Sequence, residues 1–226
     1  MRALDRVEYR LAVDAEARDR IFNLRYRAYL REGAIAPSDD ERFTDPVDDQ
    51  PNCLIFGVYA DGDLAGAIRI SLTVPGLPQV PTASVFPDDI LPQIEAGLVL
   101  VDPTRFVADA AWSRELPELP YLTLRLPWLA MEHFGADIML AAVRPEHYPF
   151  YRRLWGNTVV SAPRLYPGLA KPVLLSQLDY GKAAPRVHAL YPFFRAREDE
   201  RETIFGAGVI AWPSVAGRQA PRARPV

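Results

Sequence analysis

Cysteine and histidine are scarce in this chain, and their scarcity excludes several kinds of site. Cys53 is the single cysteine among 226 residues, so neither an internal disulfide framework nor a cysteine-built metal centre is expected. The three histidines, His133, His147 and His188, stand far apart, and none has a partner at a metal-ligand spacing. We therefore predict no metal site and a reducing compartment.

Long apolar runs and an excess of basic charge are also missing. No run of about 18 apolar residues is present, so the sequence predicts no membrane span. The N-terminal segment lacks the apolar core of a signal peptide, which favours a cytoplasmic location. The 26 basic and 29 acidic residues give a net charge of −3, and this balance argues against nucleic acid as a partner.

Glycine-rich phosphate loops are absent as well. Neither G-x-G-x-x-G nor G-x-x-x-x-G-K-[ST] follows an apolar run, so dinucleotide-binding and P-loop folds lose their main support. We expect no tightly bound cofactor.

The apolar residues that are present indicate a mixed α/β (α+β) fold. Alternation over Val7–Val13 predicts a first strand, and Asp14 is placed to cap the helix after it. Two apolar runs, Leu54–Tyr59 and Leu64–Leu72, are separated by Asp-Gly, a signal for a hairpin. A strand-helix-strand pattern follows later in the chain. Together these patterns predict a mixed central sheet with helices on its faces.

Charged residues beside the apolar runs mark a candidate site. Arg25 and Tyr29 are four residues apart on the first predicted helix, so they share one face. A buried Arg25 would need a carboxylate, and the long loop that follows carries Asp45 and Asp48. In one interpretation, these residues form an ion-pair cluster that orders the loop. In the other, Arg25 lies on a solvated helix face, and Asp45 and Asp48 lie in an acidic turn at the surface.

Two further charged groups lie in predicted strands. Arg69 interrupts an apolar run, and arginine is rarely buried without a partner. Asp102 and Arg105 bracket the entrance of the next strand. Such charges favour a cleft or an ion-pair network, although a position at the sheet edge would also explain Arg69.

In order and spacing, these groups resemble the acyl-homoserine-lactone (autoinducer) synthases, and more closely the long-chain N-acyl amino acid synthases. The similar motifs are R-Y-x-x-Y at 25–29, D-x-x-D at 45–48, G-x-x-R at 66–69, [DE]-x-T-R-F at 102–106 and Y-P-F-Y-R-R-L-W-G at 148–156. The resemblance spans about residues 20–200. Both groups belong to one branch of the GNAT superfamily. The resemblance therefore implies a GNAT acyl-CoA N-acyltransferase-like fold, with a mixed central sheet splayed in the middle and flanked by helices.

The activity implied by this resemblance is transfer of a fatty acyl group from a thioester to a small amine. The donor would be acyl carrier protein (ACP), or acyl-coenzyme A, and the acceptor an amino acid or related amine. Two alternatives stay open. One is an acyl-homoserine-lactone synthase that uses S-adenosylmethionine, and the other is a non-catalytic acyl- or ACP-binding module.

The resemblance also implies roles for individual residues. Asp102 stands where the family often has a glutamate proposed as general base, and Arg105 would hold that carboxylate or the thioester. Tyr151, or else Tyr148, would protonate the leaving thiolate. The residues implied in substrate binding are Arg25, Tyr29, Asp45, Asp48, Arg69, Phe106 and Val107. Proton transfer from an amine of pKa near 8 to an ordinary aspartate is unfavourable in free energy. Asp102 therefore needs a raised pKa or a bridging water to act as the base.

One departure from the GNAT pattern concerns the donor. Arg114–Pro120 stands where a glycine-containing pyrophosphate loop is usual, and it has no glycine, which favours a carrier protein over free coenzyme A. Basic residues that would dock an acidic carrier are Arg114, Arg125, Arg144, Arg152 and Arg153. Apolar residues that would line an acyl slot, or equally the core, are Leu122, Leu124, Leu126, Trp128 and Leu129.

The chain length suits one domain with a small addition. We predict a GNAT-like domain over residues 1–182 and a C-terminal helical appendage over 183–212. Residues 213–226 are rich in proline, arginine and alanine, and we predict a disordered tail there.

Overall fold

The computed structural model describes residues 3–206. The strands are β1 Val7–Leu11, β2 Cys53–Ala60, β3 Asp63–Leu72, β4 Leu100–Ala108, β5 Ile138–Val143, β6 Thr158–Leu165 and β7 Pro172–Asp179. The helices are α1 Ala15–Arg31, α2 Pro87–Glu95, α3 Trp112–Glu115, α4 Leu119–His133, α5 Tyr148–Trp155, α6 Tyr180–Leu190 and α7 Glu198–Phe205. The predicted tail at 213–226 and the end of the predicted appendage lie outside the described residues.

The seven strands form one mixed sheet in the order β1-β2-β3-β4-β5-β7-β6. All neighbouring strands are antiparallel except β4 and β5, which are parallel. The cores that contain α1 and α2 lie on one face of the sheet, and the larger core with α4 to α7 lies on the other. The predicted mixed α/β fold, with helices on both faces, is confirmed.

Local sequence signals account for the first elements. The side chain of Asp14 accepts a hydrogen bond from the Ala17 N–H at 2.8 Å and so caps α1. Asp61 and Gly62 both have positive φ, 49° and 94°, which is the geometry of a tight turn between β2 and β3. This hairpin carries Arg69 into the third position of the sheet, away from either edge.

The sheet divides between β4 and β5. These strands are paired at Leu100–Ile138 and Val101–Met139, and beyond those two pairs each strand follows its other neighbour. Arg105 in β4 has φ 54°, and the register with β3 shifts at the same place, so β4 bulges away from β5. We call the resulting gap the fork. It is the predicted splay of the central sheet.

The C-terminal helices join the main core. Three side chains from this segment are almost fully buried in the same cluster as Trp128 of α4: Val187 of α6, Phe194 in the turn before α7, and Phe205 of α7. Helix α6 begins at Tyr180, so it crosses the boundary predicted at residue 183. The segment through residue 206 therefore packs as part of the domain.

Candidate active site

The first part of the site is a buried ion pair between α1 and the acidic loop. Arg25 directs Nη1 to the two carboxylate oxygens of Asp48, at 2.8 and 2.9 Å. Both side chains are fully shielded from solvent. Because an unpaired buried charge is costly, each residue depends on the other. The interpretation of Arg25 as part of a solvated helix face is therefore wrong.

Arg69 links this pair to a second carboxylate. Its Nη1 lies 2.6 Å from Asp45 Oδ1 and 3.2 Å from Asp48 Oδ1, and its Nε donates to the Thr104 hydroxyl at 2.9 Å. The Arg69 side chain is fully buried, since β3 is an inner strand. The sheet-edge explanation for Arg69 is thus excluded.

Arg105 closes the cluster from the far side of Asp45. Its Nη2 lies 2.5 Å from Asp45 Oδ2, and its guanidinium sits 4.5 Å from the ring centroid of Phe43 and 5.9 Å from that of Tyr29. The left-handed backbone of Arg105 is unfavourable for a residue with a Cβ, and it persists only where surrounding contacts fix it. The ion pair and the aromatic rings supply those contacts.

The two aspartates also order the acidic loop. Asp45 and Asp48 form a capping box around the short 3₁₀ turn Pro46–Asp49, and Thr44 donates its hydroxyl to Asp48 at 2.9 Å. Burial acts to raise both carboxyl pKa values, but the neighbouring arginines outweigh it. The pKa of Asp45 falls to about 2, and that of Asp48 falls below its usual value. Both carboxylates are therefore ionised at neutral pH.

Asp102 lies beside this cluster but has a separate partner. Thr82 donates its N–H to one carboxylate oxygen and its hydroxyl to the other, both at 2.8 Å. Burial raises the pKa of Asp102 to about 6, against those two hydrogen bonds and the charge of Arg69. The raised pKa is the property that the proton-transfer argument required of a base at this position.

The fork opens into a cleft of about 510 Å³. Its walls come from β4, the end of β5, the end of α1 and the start of α5. Of the predicted site residues, those that line it are Tyr29, Arg105, Phe106, Val107 and Tyr151. Arg25, Asp45, Asp48, Arg69 and Asp102 do not line the cleft. Arg105 is thus the member that joins the charged cluster to the fork.

The two candidate tyrosines differ in position. Tyr151 lines the fork and is 8% exposed, and burial raises the pKa of its phenol above the usual value, so the hydroxyl keeps its proton. The hydroxyl of Tyr148 instead donates to the Asn157 carbonyl at 3.1 Å, and Tyr148 does not line the cleft. Tyr151 is therefore the better placed proton donor.

Comparison with known proteins gives a family match over most of the chain. The family model described as N-acyl amino acid synthase FeeM matches residues 20–179. The chain belongs to this family. It is therefore an N-acyltransferase, as the motif resemblance implied. No curated protein matches the chain significantly in sequence.

Several solved structures share the fold of this chain. FeeM, an N-acyl amino acid synthase from uncultured soil microbes, aligns with a TM-score of 0.68 at 20% identity, covering 83% of this chain and 98% of FeeM. BjaI, a CoA-dependent acyl-homoserine lactone synthase, aligns at 0.54 and 14% identity, covering 81% and 88%. An acyl-CoA N-acyltransferase from Pseudomonas aeruginosa aligns at 0.52 and 14% identity, covering 76% and 98%. These likenesses confirm the predicted GNAT-type fold.

Two residues that interact with Asp102 lie outside the family motifs and were not among the predicted site residues. Thr82 holds Asp102, but it lies in a proline-rich stretch without periodicity. Tyr166, after β6, has a buried hydroxyl with no hydrogen-bond partner among the described residues. Its ring lies 5.7 Å from the Arg105 guanidinium, and it interacts electrostatically with Asp102. Neither residue carries a sequence signal, because both reach the site from distant loops.

Two sequence proposals for this N-acyltransferase need correction. Arg125 is buried and bound to Glu200 at 2.6 Å and to the Phe193 carbonyl, so it is not available to dock a carrier protein. The proposed acyl-slot residues of α4 are all buried in the main core, and none lines the fork: Leu122, Leu124, Leu126, Trp128 and Leu129. Helix α4 therefore supports the sheet rather than the substrate.

The described residues also form a hollow outside the fork. A hollow of about 960 Å³ lies between α4 and the C-terminal helices, and no predicted site residue lines it. Within residues 3–206, no group of three metal-ligating side chains is close enough to hold an ion. No helix in the same range is long and apolar enough to cross a bilayer.

Proposed function

We propose that this protein transfers a fatty acyl group from an ACP thioester to the amine of an amino acid or related small amine. The observation that carries the proposal is the fork itself. Its walls combine the apolar side chains of Phe106 and Val107 with the guanidinium of Arg105, which the buried cluster holds in place. Such a cleft suits an acyl thioester with a polar amine beside it.

The start of α4 supports a carrier-bound donor. A diphosphate needs free backbone N–H groups at a helix N-terminus. Here the N–H groups of Leu116, Leu119 and Leu122 donate to nearby carbonyls, and Pro117 and Pro120 have none to offer. This segment is therefore a poor binding site for free coenzyme A. Arg114, Arg152 and Arg153 are exposed and offer an acidic carrier protein positive charge.

The proposed reaction needs three contributions from the protein. The amine nitrogen attacks the thioester carbon, so that a C–N bond forms and the C–S bond breaks. The bulge of β4 near Phe106 offers backbone N–H groups to the developing oxyanion. Tyr151 donates a proton to the departing thiolate, and the proton released by the amine restores the balance.

Asp102 is the proposed base, although it does not line the cleft. Its carboxylate is enclosed, so the amine proton reaches it through an intervening group. Tyr166 supports such a route, because its buried hydroxyl has no hydrogen-bond partner among the described residues, it interacts electrostatically with Asp102, and its ring lies 5.7 Å from the Arg105 guanidinium. We assign Tyr166 to this relay.

Product analysis tests the proposal. The purified protein is incubated with a C12 or C16 acyl-ACP and a mixture of the twenty amino acids, and organic extracts are examined by mass spectrometry. We expect N-acyl amino acids that depend on the protein and disappear in Asp102→Asn. A parallel reaction with S-adenosylmethionine distinguishes the alternative, since an acyl-homoserine lactone made there would overturn the amino acid acceptor. Binding of acyl-ACP without any product would instead indicate the non-catalytic module.

A further inference from the structure

The mouth of the fork carries a compact group of charged side chains that the proposed chemistry does not use. We call this group the mouth cluster. It consists of Glu32 after α1, Arg144 and Glu146 after β5, His147 before α5, and Lys171 before β7. All five residues line the same cleft as Phe106 and Tyr151.

Arg144 is the centre of the mouth cluster. Its Nη2 lies 2.6 Å from a Glu32 carboxylate oxygen and 2.8 Å from His147 Nε2, and its Nε lies 3.3 Å from Glu146. Lys171 approaches the same corner and donates to the Glu32 backbone carbonyl at 2.9 Å. Its ammonium charge also acts on Glu146. Two cations and two carboxylates therefore meet at the opening.

The pairing of Glu32 with Arg144 is exchangeable. The Arg144 side chain is 19% exposed, whereas that of Glu32, the C-cap residue of α1, is 47% exposed. An exposed ion pair contributes little to stability, so another carboxylate can replace Glu32 at small cost. Arg144 offers a planar fork of donors that matches a carboxylate, and a replacement by an incoming carboxylate leaves the local charge balanced.

We propose that Arg144, assisted by Lys171, binds the α-carboxylate of the acceptor, and that Glu32 occupies this position in the free enzyme. This inference rests on the proposed function, since it names the acceptor as an α-amino acid. The carboxylate binds at the mouth, and the amine then points inward to the thioester near Phe106. Glu32 acts as an internal competitor, so the two residues have opposite effects on acceptor binding.

The test compares a free amino acid with its α-amide, which keeps the amine but lacks the carboxylate charge. The measured quantity is the ratio of kcat/KM for the two acceptors with the same acyl-ACP. We expect Arg144→Gln to lower this ratio about tenfold or more, through KM for the amino acid, and Glu32→Gln to raise it. Arg31→Gln is the matched control, because Arg31 lines the same cleft and its guanidinium donates to the Ala108 carbonyl. We expect it to leave the ratio within about twofold.

Each result decides the question. A ratio unchanged in Arg144→Gln, or lowered by Arg31→Gln instead, overturns the inference while the acyltransferase proposal stands. Equilibrium binding of the free amino acid, measured by NMR, separates the two proposals. Arg144-dependent binding without any N-acyl product supports the carboxylate site and overturns the proposed function. If the amino acid neither binds nor reacts, both proposals are wrong.

Discussion

Thr82 donates two hydrogen bonds to Asp102, one from its backbone and one from its hydroxyl, and so fixes a carboxylate that has no contact with solvent. This arrangement leaves Asp102 able to change protonation near neutral pH, because burial raises its pKa to about 6. Replacement by asparagine keeps the size of the side chain and removes the titration.

We expect Asp102→Asn to lower kcat at least ~10²-fold without unfolding the protein. The pH profile is the sharper measurement. In the wild type, log kcat/KM rises with pH through the acceptor amine near pKa 8 and, below about pH 6, more steeply as Asp102 becomes protonated. The variant keeps the amine limb and loses the steeper part. Unchanged turnover in Asp102→Asn would remove this residue from the mechanism.

The same raised pKa affects stability with a defined sign. The folded state binds a proton at Asp102 more tightly than the unfolded chain, whose carboxyl titrates near its ordinary pKa of 3.8. This residue therefore opposes folding increasingly as pH rises from about 4 to about 6. We expect the stability advantage of Asp102→Asn over the wild type to grow across this range in urea titrations. A difference that stays constant with pH would contradict the raised pKa.

Arg25→Ala removes one partner of a fully buried ion pair and leaves the Asp48 charge enclosed. We expect a loss of about 3–5 kcal/mol in the free energy of unfolding, with activity reduced as the loop loosens. The matched control is Arg197→Ala, since Arg197 and Asp199 form an exposed pair, and its effect should stay within about 0.5 kcal/mol. Coincident denaturation curves for Arg25→Ala and the wild type would contradict the burial of this pair.

Tyr151→Phe tests the proposed proton donor. Substrates with an ordinary alkyl thioester need a protonated leaving group, so we expect kcat to fall about tenfold to a hundredfold. An aryl thioester leaves readily without protonation, and with it the variant should approach the wild type. Tyr148→Phe is the control, because that hydroxyl bonds to the Asn157 carbonyl outside the cleft. An equal loss with both thioesters would assign Tyr151 to packing.

Donor preference is measured by kcat/KM for acyl-ACP against acyl-coenzyme A of the same chain length. We expect the carrier protein to be favoured at least tenfold, with the preference reduced in Arg152→Ala and Arg153→Ala through KM. Both arginines are exposed on α5, so their removal leaves the core intact. Equal use of the two donors would contradict the argument from the start of α4.

Much of the fold follows from local signals. The Asp14 cap, the Asp61-Gly62 turn and the apolar strand Ile138–Val143 agree between sequence and structure, because each depends on residues near one another in the chain. Helix α2 lacks such a signal, since prolines at 87 and 92 are typical of a loop. The first of these occupies the helix start, where proline is tolerated.

The site was less accessible from sequence. The order of the motifs brought out Arg25, Asp45, Asp48, Arg69 and Arg105, which the structure joins in one cluster. The order of the motifs did not distinguish residues that line the fork from those that do not, since that division depends on a bulge at Arg105. The sequence of β4 carries no continuous strand pattern, because Pro103 interrupts its apolar residues. Long-range pairing with β3 makes it continuous.

The separation of β4 from β5 after two residue pairs places two free strand edges inside the molecule instead of at its rim. At a rim, such edges recruit other chains and favour aggregation. Here the two edges face each other across the fork, which opens into the cleft of about 510 Å³. An extended part of a ligand that carries amide groups can lie between the two strands and form hydrogen bonds with their free backbone groups. In the reaction proposed above, these backbone contacts would hold the thioester donor in a way that does not depend on the length of its fatty chain.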